Sequence, residues 1–150
     1  MSITSRSTVR LAVATAVQTV LAGIVPSGNV LANLPGPFAG ATPLVLVLSS
    51  GSARKPFSYG ADDLPSFQLS LRVYVLLSSP DGTWTEGDAE ARLDAIEAGI
   101  ARMCLDYQHT ATWQNIQYNG VSKVEDVMTI DGFVYRRETI PILVECETDE

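Results

Sequence analysis

The sequence is poor in the residues on which most enzyme and metal chemistry depends. Its 150 residues include one histidine and two cysteines. No nucleophile or carboxylate is marked as a partner for His109, which is therefore predicted to be a polar residue at a helix end. Cys104 and Cys146 are too few for a disulfide scaffold or a four-ligand zinc site, and both are predicted to be reduced core residues. The sequence predicts no catalytic residue, no metal ligand and no cofactor.

Positive charge is also scarce. The 10 Lys and Arg residues are scattered along the chain against 17 Asp and Glu residues, and the formal net charge is −7. A protein that holds a nucleic-acid backbone needs clustered basic side chains that displace counterions. Nucleic-acid binding is therefore disfavoured, whereas a protein that must not adhere to DNA is expected to have this balance.

Long apolar runs are missing as well. The segment LAVATAVQTVLAGIV follows Arg6 and Arg10 in the manner of a signal peptide, but polar residues such as Thr15 interrupt it. It is too short and too polar for a membrane span. Its apolar residues recur three or four apart, which predicts an amphipathic helix from about Ser7 to Ile24.

Length and composition predict one globular domain over residues 1–150. A short strand is predicted at Val30 to Leu34, and the apolar run Leu44 to Leu48 is typical of a strand covered on both faces. Alternating apolar residues predict a long strand from Phe67 to Ser78. Between these strands Ser49 to Ser66 has no apolar periodicity, so a long functional loop is predicted there. Deleting Ala53 to Ala61 is expected to leave the fold intact.

A second helix is predicted after Thr85, because Asp88 stands at the spacing of a capping box. Residues three and four apart then form one narrow apolar stripe, which suits a helix that lies on a sheet. The stripe consists of Ala89, Leu93, Ile96, Ile100, Met103 and Tyr107.

The chain ends in a predicted hairpin. Asp131-Gly132 favours a two-residue turn between a strand from Val124 to Ile130 and a last strand from Val134 to Cys146. Pro141 cannot donate to a sheet ladder and is expected at a strand edge or a bulge. The half nearest the turn is charged on both faces, so it is predicted to extend past the core. The elements together predict an α+β fold: a mainly antiparallel sheet with two helices packed on one face and a long projecting hairpin or loop.

The arrangement resembles the tail terminator proteins of long-tailed bacteriophages, which belong with the minor tail and tail-completion proteins. An N-terminal amphipathic helix is followed by PLVLVLSSG and a polar segment, and then by the long strand FQLSLRVYVLL. A PDG loop, the acidic-start helix TEGDAEARLDAIEAGI and the hairpin DGFVYRRETIPILVE complete the resemblance. It covers the chain from about Val9 to Glu147.

The resemblance implies a structural virion protein without catalysis or cofactor. It implies a homo-oligomeric ring, commonly a hexamer, that assembles in the host cytoplasm, ends the tail tube and joins it to the head-side connector or stopper protein. DNA passes through the channel only in transit, and no membrane is involved. Interface residues are expected at Arg54, Lys55, Phe57, Tyr59, Arg136, Arg137 and Glu138. Candidates for the channel lining are Asp62, Asp63, Glu86 and Asp88.

Two other classes stay open. One is a different phage neck component, such as a head-completion or stopper protein, which would use the same ring arrangement at another level. The other is a small soluble enzyme or ligand-binding module. A discrete ring separates the structural roles from a monomeric enzyme.

Overall fold

The computed structural model describes residues 5–33, 41–56, 63–77, 85–129 and 132–146, with the backbone alone at 53–56 and 63–64. In this part of the chain two helices, α1 (Arg6–Val20) and α2 (Glu86–Asp106), pack on one face of a six-stranded sheet. The strands are β1 (Val30–Leu31), β2 (Leu44–Pro56), β3 (Asp63–Leu76), β4 (Asn115–Tyr118), β5 (Lys123–Met128) and β6 (Val134–Glu145). The predicted α+β fold is confirmed.

The strand order is β1-β2-β3-β6, and β4 and β5 both pair with the far side of β6. β1 runs parallel to β2, and the other described pairs are antiparallel. The predicted alternation of β3 is confirmed, because its odd-numbered apolar residues are buried beneath the helices while Gln68 is exposed. These buried residues are Phe67, Leu69, Leu71, Val73 and Val75.

Helix α2 begins where the sequence predicts. The Thr85 hydroxyl accepts a hydrogen bond from the Asp88 amide at 3.4 Å, and the Asp88 carboxylate accepts one from the Thr85 amide at 2.8 Å. This is a capping box, which satisfies donors that have no partner within the helix. The predicted stripe is buried from Ala89 to Met103, and Tyr107 is partly buried beside the same core.

Removing this cap should destabilise the protein. Thr85→Ala leaves the Asp88 amide without its acceptor, and we expect a loss of about 1 kcal/mol in the free energy of unfolding. Urea denaturation followed by circular dichroism measures the difference. Thr85→Ser keeps the hydroxyl and should stay close to wild type. Equal loss in the two variants would show that the hydroxyl is not the stabilising group.

Helix α1 is shorter than predicted and ends at Val20. The Leu21 carbonyl accepts hydrogen bonds from the amides of Ile24 and Val25, which closes a turn. Gly23 within this turn adopts a left-handed conformation with φ 86°. Leu21, which begins this turn, is fully buried. The turn from Leu21 to Val25 therefore ends the helix four residues before the predicted end at Ile24. Neither of the two described helices is long and apolar enough to cross a lipid bilayer.

A second apolar cluster lies on the sheet face opposite the helices. The Tyr74 and Tyr135 rings meet edge to face with centroids 6.2 Å apart, and the Tyr135 hydroxyl donates to the Ala41 carbonyl at 3.0 Å. Leu44 and Leu46 are buried in the same cluster. The prediction that the start of β2 is covered on both faces is therefore confirmed.

The predicted long loop from Ser49 to Ser66 is wrong. β2 continues to Pro56, β3 begins at Asp63, and the two strands pair to their ends across a register shift between Ser49 and Gly51. Pairing with β3 decides the conformation, because strand preference depends on the neighbouring strand more than on the residue itself. Deleting Ala53 to Ala61 would remove paired backbone, so it is not expected to leave the fold intact.

The β2–β3 hairpin projects past the rest of the sheet. β6 pairs with β3 only from Ser66 to Leu76, and one further bond runs from the Cys146 amide to the Pro65 carbonyl at 2.9 Å. The hairpin continues beyond this point to the pair Pro56–Asp63. The predicted projecting hairpin therefore lies in β2–β3.

The β5–β6 turn differs from the predicted two-residue turn. The Thr129 amide donates to the Phe133 carbonyl at 2.8 Å, so three residues lie between the bonded pair. Gly132, with φ 87°, takes the left-handed position that such three-residue turns require. Ile130 and Asp131 lie outside the described residues.

Pro141 lies where β6 changes its neighbour. β5 pairs with β6 as far as Thr139, and β4 pairs with it from Ile142 onward. Between them the Pro141 carbonyl accepts from the Asn119 amide at 2.9 Å. The missing N–H of Pro141 therefore falls at the junction of two ladders, whereas the sequence predicts a strand edge or a bulge.

Candidate assembly surface

The charged half of β6 is folded onto its own subunit. The Arg136 guanidinium contacts Asp126 of β5 at 2.8 Å, and it contacts Glu90 and Glu86 of α2 at 2.5 Å and 3.4 Å. The hydrogen bond to Arg136 lowers the pKa of Asp126, and these carboxylates raise the pKa of Arg136. Arg136 thus joins the start of α2 to the β5–β6 hairpin.

Arg137 lies on the opposite face of β6. Its guanidinium is hydrogen bonded to Glu125 of β5 and lies 6.0 Å from the centre of the Tyr74 ring. The hydrogen bond lowers the pKa of Glu125. Arg136 and Arg137 therefore each have an acidic partner on β5, one on each face of the sheet.

Glu138 is the buried charged residue of this cluster. Its side chain is only 7% exposed, and a carboxylate oxygen accepts from the Ser122 hydroxyl at 2.8 Å. Burial raises its pKa, and the nearby Glu97, Asp94 and Glu90 carboxylates raise it further. The charged form of Glu138 therefore costs folding free energy.

Replacing Glu138 by glutamine should stabilise the protein at neutral pH. The folded-state pKa lies above the ordinary value of 4.5, so the ionised carboxylate opposes folding once the pH exceeds the folded pKa. Glu138→Gln removes this cost and still accepts from Ser122. We expect a higher urea midpoint at pH 7 and a gain that disappears near pH 4. A gain that stays constant between these pH values would contradict the assignment.

These contacts correct the prediction that the charged half of β6 leaves the core. Arg136 and Arg137 lie opposite Val75 and Tyr74 of β3, within the sheet. The acidic partners come from β5 and from α2, up to 50 residues away in the chain. That proximity is created by the fold and is not visible in the local pattern. An interface role for Arg136, Arg137 and Glu138 stays a prediction.

Of the other predicted interface residues, the structure describes the backbone of two, both in the projecting hairpin. Arg54 and Lys55 belong to β2, where their backbones pair with Pro65 and Leu64. Phe57 and Tyr59 lie outside the described residues.

The structure separates the candidates for the channel lining. Asp62 lies outside the described residues, and Asp63 begins β3 at the projecting end of the sheet. Glu86 contacts Arg136, which pairs with Val75 near the other end of β3. The Asp88 side chain forms part of the capping box of α2. The described candidates therefore do not form one cluster.

The sheet has an uncovered edge at β5. Antiparallel strands alternate between residues whose backbone groups bond to the neighbour and residues whose groups point away. The Thr129–Phe133 bond sets this alternation, so the odd-numbered residues of β5 bond to β6. The N–H and C=O groups of Val124, Asp126 and Met128 therefore point away from the sheet. No other described strand pairs with this edge.

A second uncovered edge lies at the opposite side of the sheet, on β2. β1 pairs only with Val45 and Leu46, and the Arg10 side chain donates to the outward Val47 carbonyl at 3.2 Å. After the register shift, Ser52 and Arg54 lie opposite Phe67 and Pro65 of β3. Because the Pro65 carbonyl bonds toward β6, these pairs are of the type not bonded to each other.

It follows that the backbone groups of Ser52 and Arg54 point away from the sheet. No described strand pairs with β2 beyond Leu46 on this side. The β2 edge and the β5 edge therefore form two different free edges of one sheet.

Exposed apolar side chains accompany the β5 edge. Val124 is 52% exposed and Met128 72%, and Val121 just before the strand is 91% exposed. Single exposed apolar residues are ordinary, but here they lie along a strand whose outward backbone groups pair with no other strand in the described part of the chain. Sequence reasoning missed this edge. In the local sequence, the only feature that indicates this edge is an apolar residue at every third or fourth position of a strand that is otherwise rich in charge.

The isolated chemistry-bearing residues take the structural roles predicted for them. Cys104 and Cys146 are free and buried, and burial raises the pKa of each thiol to about 11. His109 lies exposed just beyond the end of α2, with Nδ1 3.2 Å from the Gln114 carbonyl oxygen. Among the described residues no group of three or more His, Cys, Asp or Glu has the geometry of a metal site.

Comparison with known proteins returned no match, either to a protein-family model or to a curated protein.

Proposed function

We propose that this protein is a structural virion protein of a long-tailed bacteriophage. It forms a homo-oligomeric ring, a hexamer by the family resemblance, that ends the tail tube and joins it to the head-side connector or stopper protein. It acts by assembly, without catalysis or cofactor. Its location is the neck of the virion, after assembly in the host cytoplasm.

The observation that carries the proposal is the pair of different free edges on one sheet. A contact between two different surfaces of the same chain is heterologous, and it generates a closed ring when the rotation closes. The β5 edge and the β2 edge lie on opposite sides of the sheet, with β3 and β6 between them. Each subunit can therefore contact two neighbours at once.

The projecting β2–β3 hairpin supports contact with a protein above or below the ring. It extends past the last pairing with β6 to the pair Pro56–Asp63, and the sequence between these two residues contains Phe57 and Tyr59. Aromatic residues of this kind dominate the energetics of many interfaces. We assign these two residues to contact with the tail tube protein.

The net charge of −7 per chain supports a passive channel for DNA. Acidic groups that face the channel repel DNA over a range of about 8 Å at physiological salt. Among the candidates, Glu86 is exposed at the start of α2, and Asp63 lies at the projecting end. An assembled ring should therefore not bind duplex DNA at low salt, and micromolar or tighter affinity that falls steeply with added salt would contradict a passive channel.

A stop codon in the gene tests the proposed function. Cells infected with such a phage should accumulate filled heads and separate tails, and a plasmid copy of the wild-type gene should restore joined particles. Normal infectious particles without the plasmid would contradict the proposal. A second experiment distinguishes a tail terminator from a head-completion or stopper protein. Heads and tails of a phage that carries a tagged copy of this protein are separated and labelled with gold-conjugated antibody. Label on the tail ends supports the terminator, whereas label on the heads supports a head-completion or stopper protein.

A further inference from the structure

We infer that the sheet face opposite the helices binds an extended acidic segment of a partner protein. One carboxylate of this segment lies over Thr139, between Arg72 and Lys123. A second carboxylate, two residues along the segment, lies at Arg137. The inference goes beyond the proposed ring and does not depend on it, because it concerns a face of the sheet and not its edges.

Three side chains form a row across adjacent strands of this face. Thr139 of β6 lies opposite Arg72 of β3 on one side and opposite Lys123 of β5 on the other. Arg72 shares its face with Tyr74 of the second apolar cluster, so the row lies on the side opposite the helices. Neighbouring strands lie about 4.8 Å apart, which places the Arg72 and Lys123 backbones about 10 Å apart. Two long cationic side chains therefore flank the short Thr139 side chain.

Arg137 extends this row along β6. It lies on the same face as Thr139, two residues away and therefore about 7 Å along the strand. It is also the diagonal neighbour of Arg72 across the β3–β6 pair, at about 7–8 Å. Contacts with Tyr74 and Glu125 hold its guanidinium group in place, and 22% of the side chain stays exposed. The three cations therefore lie within one small area of the sheet.

The fold leaves hydrogen-bonding capacity unused at both arginines. The Nε atoms of Arg72 and Arg137 are buried without a hydrogen-bond partner among the described residues. None of the ion pairs in the described part of the chain includes Arg72, whereas Arg137 pairs with Glu125. A buried donor that lacks a partner costs free energy, and a carboxylate can accept two parallel N–H bonds from one guanidinium group. An acidic ligand would therefore find donors that the subunit itself does not use.

The charge of this area is opposite to that of the whole chain. Its three cations lie beside one carboxylate, that of Glu125, which leaves an excess of two positive charges in a chain of net charge −7. The hydrogen bond to Arg137 lowers the pKa of Glu125, and the charges of Lys123 and Arg72 lower it further. All three cations therefore act on the same part of the face, where complementary charge favours an acidic partner.

The spacing along β6 indicates an extended peptide. In an extended segment, residues i and i+2 point to the same side and lie about 7 Å apart. That distance matches the separation of Thr139 and Arg137, so acidic residues at alternate positions reach both places. A nucleic-acid backbone is a less suitable ligand, because its binding requires a larger cluster of cations and the net charge of −7 repels it.

Peptide binding tests the site. The probe is a fluorescein-labelled peptide with glutamates at positions i and i+2, and its isomer with two adjacent glutamates is the control. Fluorescence anisotropy at low salt with the full-length protein should show tighter binding of the first peptide. Arg72→Gln and Lys123→Gln should each weaken this binding about 5-fold, which is the upper value for an ion pair at the surface. Arg102→Gln removes the same charge from an exposed position of α2 and should bind like wild type.

The variants and the competing ligands decide the result. Equal binding of the two peptides, no binding of either, or an equal loss in Arg102→Gln would overturn the inference. Lys123 is exposed, so its variant decides the test if Arg72→Gln does not fold.

Two other occupants of this face are tested with the same variants. Duplex DNA that binds more tightly than the peptide, and is lost in Arg72→Gln, would assign the face to nucleic acid. Self-association that is lost in Arg72→Gln would assign the face to a second copy of the chain. Either result would overturn the acidic peptide. A wild-type chain that stays monomeric and binds the spaced peptide would contradict the proposed ring and leave this inference standing.

Discussion

Proline at Met128 should convert the assembled ring to monomers while the subunit stays folded. The Met128 amide points away from the sheet, so its loss removes no hydrogen bond to another residue that the structure describes. In the proposed ring the same amide lies at the edge that a neighbouring subunit covers, and proline also introduces bulk at that edge. We expect each junction to weaken about 5-fold from the lost hydrogen bond, which contributes about 1 kcal/mol, and further from the bulk of the proline.

Size-exclusion chromatography with light scattering measures the change in mass. Met128→Ala is the matched control, because it removes the same side chain and keeps the amide. The alanine variant should still form rings at higher protein concentration. If both variants dissociate equally, the Met128 side chain and not the backbone edge holds the junction. Circular dichroism should show a folded monomer for the proline variant.

Truncating Trp113 should produce the largest loss of stability among single substitutions. Its side chain is 3% exposed in the main core, and its indole N–H donates to the Tyr107 carbonyl at 2.8 Å. Trp113→Ala leaves a large cavity and an unpaired carbonyl, and we expect a loss of about 3–5 kcal/mol. That is a large part of the roughly 5–15 kcal/mol available to a domain of ordinary stability.

Trp113→Phe separates the two contributions. Phenylalanine fills most of the cavity but leaves the Tyr107 carbonyl without its donor, so its cost should lie well below that of alanine. Urea denaturation followed by far-ultraviolet circular dichroism measures both variants without depending on tryptophan fluorescence. A loss below about 1 kcal/mol for the alanine variant would contradict the close packing at this position.

The parts of the fold that the sequence predicts are those with a strong local pattern. The alternation in β3 and the capped stripe of α2 each place apolar residues on one face, and burial follows that pattern. The distal half of β2 has no such pattern. Residues 49–56 are rich in serine and charge, and only pairing with β3 makes them a strand. The partner lies further along the chain, and the local sequence of residues 49–56 does not show that the two segments pair.

The charged residues of β6 could not be placed for a related reason. Two charged faces in one strand are typical of a segment that leaves the core, and this was the prediction for Arg136 and Arg137. The fold instead brings Glu86 and Glu90 of α2 and Asp126 of β5 to Arg136. The residues that form these ion pairs are close in space although they lie far apart in the sequence. The free edges were equally hidden, because an edge is defined by which strands are not adjacent.

Native mass spectrometry of the full-length protein tests the central claim most directly. The account predicts one closed species, a hexamer, that forms with rising concentration and resists dilution because each subunit is held at both edges. A stable monomer at all concentrations, or a dimer that does not grow, would contradict the head-to-tail ring.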